Sequence, residues 1–155
     1  MNKKNEKYDL ICSLGGNCMA ASQIRQRGLR VASLPFDWTF IVNDKPLYKL
    51  AEGFKNKFKD FLLKENLQEM TDEEKAKTAH EDMAKYVDTF SNYYYINHFH
   101  KNIEIDNEYE KVKEKYERRI ERFIAFVEKA DSILFVLSTF MKIDEKPIIN
   151  LYKTL

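Results

Sequence analysis

The sequence is poor in residues that punctuate or staple a chain: two cysteines, three prolines, four glycines and a single tryptophan in 155 residues. Two cysteines exclude a disulfide scaffold. With Cys12 in an expected strand and Cys18 at an expected helix start, the pair would lie further apart than the ~7 Å a bridge tolerates. Both are therefore expected reduced, and the chain cytoplasmic. No apolar run approaches the ~18 residues of a membrane span. Lys3, Lys4 and Lys7 imitate the start of a secretory leader, and Cys18 faintly imitates a lipoprotein cleavage site, but Asp9 interrupts the run and bulky Asn17 stands where a small residue is needed. Charge of one sign is also lacking, with 26 Lys and Arg against 25 Asp and Glu. Nothing in that balance asks for nucleic acid or an anionic membrane as partner. No repeat and no linker divides the chain, so residues 1–155 read as one domain.

What the chain does have is a core. Its hydrophobic fraction of 44% with 14% aromatic is globular, and the 33% charged content supplies a surface. Tyr8–Leu14 and Ser132–Leu137 are dense enough in apolar residues to be strands buried in a parallel sheet. A helix is predicted from about Cys18 to Arg27, ending at Gly28, and a short second strand over Leu29–Ser33. Leu34-Pro35-Phe36-Asp37-Trp38 is irregular because Pro35 restricts its predecessor. A helix with Pro46 in its first turn runs to about Gly53, and Phe54–Leu63 is a further packed segment whose Lys55, Lys57 and Lys59 read as a solvated face. Thr71 and Glu74 form a capping box for a helix expected to reach about Val87, with His80 on its surface. Tyr93–His100 is aromatic and strand-like, alternation putting His98 and His100 on one face. The longest helix, about Asp106–Lys129, buries Tyr109, Val112, Tyr116, Ile120, Phe123 and Val127, and its charged outer face reads as solvated. A closing helix follows from Asp144. Strands alternating with helices give an α/β layered domain with a mainly parallel central sheet.

The chemistry-bearing stretch is Gly15-Gly16-Asn17-Cys18. A strand, a glycine turn and a helix put Cys18 on the first helical turn, where unpaired N–H groups and the helix dipole favour a thiolate. In open α/β sheets ligands collect at the carboxyl ends of strands, and Cys18 directly follows one. A thiolate nucleophile needs an imidazole and a group to orient it. His98 and His100 are the candidates for the base, Asp37 for the orienting group, and Asn17 or backbone N–H groups near Gly16 and Cys18 for oxyanion donors. Other readings stand beside this one. Cys18 is an inert packing residue; His98 and His100 are a metal pair, which would require Cys18 and one further carboxylate; Gly15-Gly16 is a phosphate cradle, without the Lys-Ser/Thr such loops carry; Tyr93–Tyr95 is a base-stacking platform, without interleaved basic residues.

The run D-x-I-x-S-L-G-x-N-C ending at Cys18, Arg25-Gln26-Arg27-Gly28-Leu29-Arg30, Pro35-Phe36-Asp37-Trp38, and the long helix followed by Ile133–Leu137 together resemble the bacterial putative papain-like cysteine peptidase family (DUF1796). The resemblance implies a thiol hydrolase. It carries the family's cysteine onto Cys18 and its Phe-Asp-Trp onto Phe36, Asp37 and Trp38. The family's histidine falls at His98 or at Asn97, with His98 the first choice and His100 the reserve. The family tends to continue past the last strand into another helix and strand, so the chain reads as C-terminally shortened against it. The expectation is an attack by Cys18 on an acyl or amide carbonyl of a small-molecule or peptide substrate, with His98 moving the proton, Asp37 positioning the ring, and no cofactor. The rival is a non-catalytic binding or scaffold domain, recognising a glycan or surface-polymer precursor beside Cys18 through Asp37 and Trp38. A third reading is a cysteine-based esterase or acyltransferase. The sequence leaves the oligomeric state open.

Overall fold

The computed structural model describes residues 7–76 and 83–154. The chain forms β1 (Leu10–Ser13), α1 (Cys18–Gln26), α2 (Lys45–Asn56), β2 (Leu67–Glu69), α3 (Asp72–Ala76), β3 (Met83–Asp88), β4 (Tyr94–His100), α4 (Ile105–Val127), β5 (Ile133–Val136) and α5 (Glu145–Tyr152). This is a mixed α/β architecture. β1 and β5 pair in parallel, Leu10 opposite Ile133 through Ser13 opposite Val136. The starts of the two strands are tied by Asp9, whose Oδ2 accepts from the N–H groups of Asp131 and Ser132 at 3.1 and 2.9 Å. The residue that interrupts the N-terminal apolar run is thus the clasp of the parallel pair. No described helix is long and apolar enough to cross a membrane.

The parallel sheet stops at these two strands, and the larger sheet is antiparallel, in the order β2-β3-β4. β5 is only half-buried, with Leu134 exposed, in contrast to the expectation of a strand covered on both faces. The sheets are joined through the core, where Tyr93 Oη donates to the Leu14 carbonyl at 3.0 Å and Phe40 bridges to Tyr94.

Three predicted elements differ. Leu29–Ser33 forms no strand; Leu29 and Val31 are exposed, and Arg30 is anchored to Asp37 instead of to a neighbouring strand. The helix expected to run to Val87 is described over Asp72–Ala76, and Met83–Asp88 is not its continuation but a strand between β2 and β4. Tyr86 and Val87 favour strands, and pairing with β4 overrides the three-and-four spacing that a helix would also have satisfied. His80 lies outside the described residues. Finally, α2 passes through Gly53 and ends at Lys57 and Phe58, both with left-handed φ. Gly53 is there for close packing, since a Cβ would lie 2.4 Å from the Phe58 ring.

The interior is aromatic. Phe36, fully buried, has the rings of Tyr93, Phe123, Phe61 and Phe58 at 5.2, 5.5, 5.6 and 5.7 Å. Offset and edge-to-face pairs at these distances each add about 0.5–1.5 kcal/mol beyond the area they bury. α4 supplies the opposing wall through Val112, Tyr116, Ile120 and Phe123, the row expected from its spacing.

The turn after β1 depends on its glycines. Gly15 and Gly16 have φ of +85° and +96°, and a Cβ on Gly16 would meet the Ser138 carbonyl oxygen at 1.9 Å. Gly28 also has a positive φ but faces open space. Gly28→Ala is therefore expected to cost about 1 kcal/mol, the left-handed penalty alone, and Gly16→Ala about 3 kcal/mol, since backbone must move as well. Urea unfolding of the two variants checks the difference.

Candidate functional site

Cys18 is the first residue of α1 and is exposed. The loop before it is clamped from three sides. Gly15 N–H donates to Ser13 Oγ at 3.0 Å, Ile41 N–H to the Gly16 carbonyl at 3.4 Å, and Ser138 N–H to the Gly15 carbonyl at 3.4 Å. Asn17 is the N-cap, its Oδ1 accepting from Met19 N–H at 2.8 Å. Its Nδ2 is buried without a described partner. The thiol thus stands on a rigid turn, at the positive end of a nine-residue helix. Cys12, six residues earlier, is 1% exposed, and burial with the nearby Asp37 carboxylate pushes its thiol up to about 12. The two sulfurs share a strand-turn-helix and differ in solvent access.

Asp37 closes the Leu34–Trp38 turn. Its Oδ2 accepts from Leu34 N–H at 2.9 Å and from Arg30 Nη2 at 2.6 Å, and the carboxylate is almost wholly buried. The Arg30 guanidinium also reaches Ser33 Oγ at 3.0 Å and lies 5.6 Å from the Trp38 ring centroid. An aspartate between two large aromatics is thereby explained: Phe36 fills the interior, half-buried Trp38 lies against Arg30, and the carboxylate holds the turn between them.

His98 is buried. A register irregularity lies between Ala84 and Tyr86 of β3, whose partners on β4 are Phe99 and Tyr95, so that residues 96–98 bulge opposite Lys85. The bulge turns His98 onto the side of Tyr95 and Tyr116, with ring centroids 5.9 and 5.3 Å away. Its Nε2 lies 2.8 Å from Tyr116 Oη and its Nδ1 3.4 Å from Lys115 Nζ. Burial, together with the cations Lys115 and Arg119, pushes the imidazole down to about 3, against a smaller opposing effect of the Trp38 carbonyl. His100 is exposed, and its ring Nδ1 and backbone N–H both bind the Glu108 carboxylate. His98 and His100 line one cleft against α4, as expected of a shared face, but their ring nitrogens are engaged with Tyr116, Lys115 and Glu108. Among the described residues no group of three or more His, Cys, Asp and Glu side chains is close enough to hold a metal ion.

Of the expected site residues, His98 and the Trp38 carbonyl are brought together, and no described bond joins Cys18 to a histidine or to Asp37. The described bonds of Asp37 go to Arg30 and Leu34, and the side-chain partners of the His98 ring are Tyr116 and Lys115. Gly16 and Asn17 build the turn that carries Cys18, whereas Trp38 lies with Arg30. Sequence reasoning missed Tyr116 and Arg30. Tyr116 was counted as one of a row of buried apolar residues, and the available signal was its hydroxyl, which needs a partner once buried.

A protein-family model described as putative papain-like cysteine peptidase (DUF1796) matches residues 9–155. No curated protein and no solved structure matches the chain.

Two outcomes follow from these environments. Iodoacetamide on the folded protein is expected to modify Cys18 and leave Cys12 untouched until denaturant is added, as read by mass spectrometry. The pH dependence of folding carries a His98 contribution. With the folded pKa lowered, the unfolded chain takes up this proton first, so the contribution is complete above about 6.5 and is lost as pH falls from there toward about 3. The stability gap between the parent and His98→Gln, measured by urea unfolding, is expected to narrow across that window.

Proposed function

The chain belongs to the putative papain-like cysteine peptidase family (DUF1796), and on that premise we propose that it is a thiol hydrolase whose nucleophile is Cys18. The observation that carries this reading is the setting of that thiol: exposed, at the first residue of α1, on a turn whose glycines admit no side chain, while the neighbouring Cys12 is buried and protonated. In the reaction, Sγ bonds to the carbonyl carbon of an acyl or amide substrate and the leaving amine or alcohol departs with a proton. Water then hydrolyses the thioester, returning the acid and the thiol. Free N–H groups at the start of α1 supply donors to the oxyanion of each tetrahedral intermediate. His98 is the imidazole assigned to the proton, as a ring that is neutral near pH 7; its resting hydrogen bond to Tyr116 must exchange when substrate binds, since catalytic contacts are often loose or unmade in the free enzyme. Asp37 acts here by holding the turn beneath Trp38 through Arg30. The substrate is a small acyl or peptide compound, and two unpaired thiols agree with the reducing cytoplasm.

One observation favours a second reading, a non-catalytic binding domain: the side chains expected to serve Cys18 are engaged with other residues. The two readings separate in one experiment. The protein is incubated with activated thioesters, esters and peptide amides, and the covalent adduct is followed by intact mass. Hydrolase chemistry gives a burst of acyl-enzyme on Cys18, abolished in Cys18→Ala and slowed at least 100-fold in His98→Ala with a changed pH profile. Slow stoichiometric labelling indifferent to His98 overturns catalysis and leaves the binding domain.

A further inference from the structure

A second feature lies on the outer side of His98. Between the end of β4 and the first half of α4 is a cleft of about 320 Å³ lined by His98, His100, Glu108, Lys111, Lys115 and Arg118. Lys111, Lys115 and Arg118 follow one another at four and three residues, so they share one face of α4 and converge on the same opening. The acidic partners on this face are already used. Glu108 is occupied by the His100 ring and backbone N–H, and Glu114 stands 3.8 Å from Arg118. No described ion pair holds Lys111 or Lys115. Lys115 is half-buried, and its only described hydrogen bond is the long one to His98 Nδ1. Arg119 adds a further cation behind it, over the Tyr116 ring at 5.4 Å, with Nη1 buried and without a partner among the described residues. Burial and the neighbouring Arg119 and Lys111 pull the Lys115 ammonium below its ordinary range, against a smaller opposing effect of the Glu108 carboxylate.

We propose that this cleft binds a phosphate monoester, its phosphoryl oxygens received by Lys111, Lys115 and Arg118. The charge matches: three cations, Lys111, Lys115 and Arg118, outnumber the Glu108 carboxylate in the cleft and meet a group carrying ≈ −1.5 to −2 near pH 7. Lysine ammonium groups and an arginine fork are also the donors that phosphoryl oxygens accept most strongly. The volume takes the phosphoryl group with a short organic tail, since a water occupies only about 30 Å³ of liquid. Glu108 and Val112 make the rest of the wall, a polar and an apolar contact for that tail. The charged outer face of α4 is thus more than a solvated surface.

The test uses the full chain and glycerol 3-phosphate, with inorganic phosphate and sodium chloride at matched ionic strength as comparison arms, followed by calorimetry and by amide chemical shifts. Saturable binding of glycerol 3-phosphate is expected, tighter than that of inorganic phosphate. Lys115→Met, which keeps the stem, and Lys111→Gln, at the exposed rim, are each expected to weaken it roughly tenfold. Cys18→Ala is expected to bind as the parent does, so the outcome is independent of the thiol reading. Equal binding of the bare ion overturns the monoester; shifts that chloride reproduces, or unchanged affinity in the folded Lys111→Gln protein, overturn the site.

Discussion

The burial of Phe36 is the constraint on which the rest of the structure depends. Four aromatic rings from three separate parts of the chain surround it: Phe58 and Phe61 after α2, Tyr93 before β4, and Phe123 on α4. A ring held on so many sides fixes its own backbone, and that backbone is the roof of the site. The Phe36 carbonyl accepts from Thr39 Oγ1 at 3.0 Å and would be 3.2 Å from a Cβ on Gly15. The aromatic interior therefore sets the height of the loop that presents Cys18. The Arg30–Asp37 pair acts on the same segment from its outer end. Its contribution is geometric more than energetic, because the Coulomb gain of a buried pair is offset by the desolvation of both ions; its loss would still be costly, leaving a charge and the Leu34 N–H uncompensated.

His98 shows how the second sheet answers the first. A regular β4 would have kept His98 in step with Tyr94 and Ile96, but the bulge moves it to Tyr95 and Tyr116. There the imidazole does what buried polar groups must do: it finds partners for its nitrogens and remains neutral. A neutral imidazole can take a proton, yet one held this far below its usual range takes it weakly, which is why the base assignment needs a change of environment on substrate binding whereas the nucleophile assignment does not.

Much of the fold was legible where a local pattern and tertiary context agree. The three-and-four spacing of Tyr109, Val112, Tyr116, Ile120 and Phe123 gave α4, and the apolar density of Leu10–Leu14 and Ile133–Val136 gave the parallel pair. Failures fall where the signal is two-valued. Met83, Tyr86 and Val87 fit a helix row and a strand alike, and pairing with β4 decided between them. Gly53 is a helix stop by type but a packing surface for Phe58 by position. For the site, the exposure of Cys18 followed from a glycine turn before a helix. Which residue Asp37 would bind was not legible, because Arg30 is seven positions away in a segment expected to be a strand. The bulge that re-aims His98 has no glycine or proline to mark it.

The two thiols set the limit on what chemistry this turn supports. Both belong to one short stretch of the chain. What separates them is solvent access. Cys12 faces hydrocarbon and a buried carboxylate, which together oppose ionisation; Cys18 is exposed at the first residue of α1. A surface thiol with no chemical role has no need of paired left-handed glycines, one of them pressed against the Ser138 carbonyl and the other beneath Thr39. Such a turn is expensive for the chain, and what it provides is a fixed direction for the first residue of α1. The proposal of Cys18 as nucleophile rests on that fixed direction together with its exposure, and not on the assignment of the imidazole.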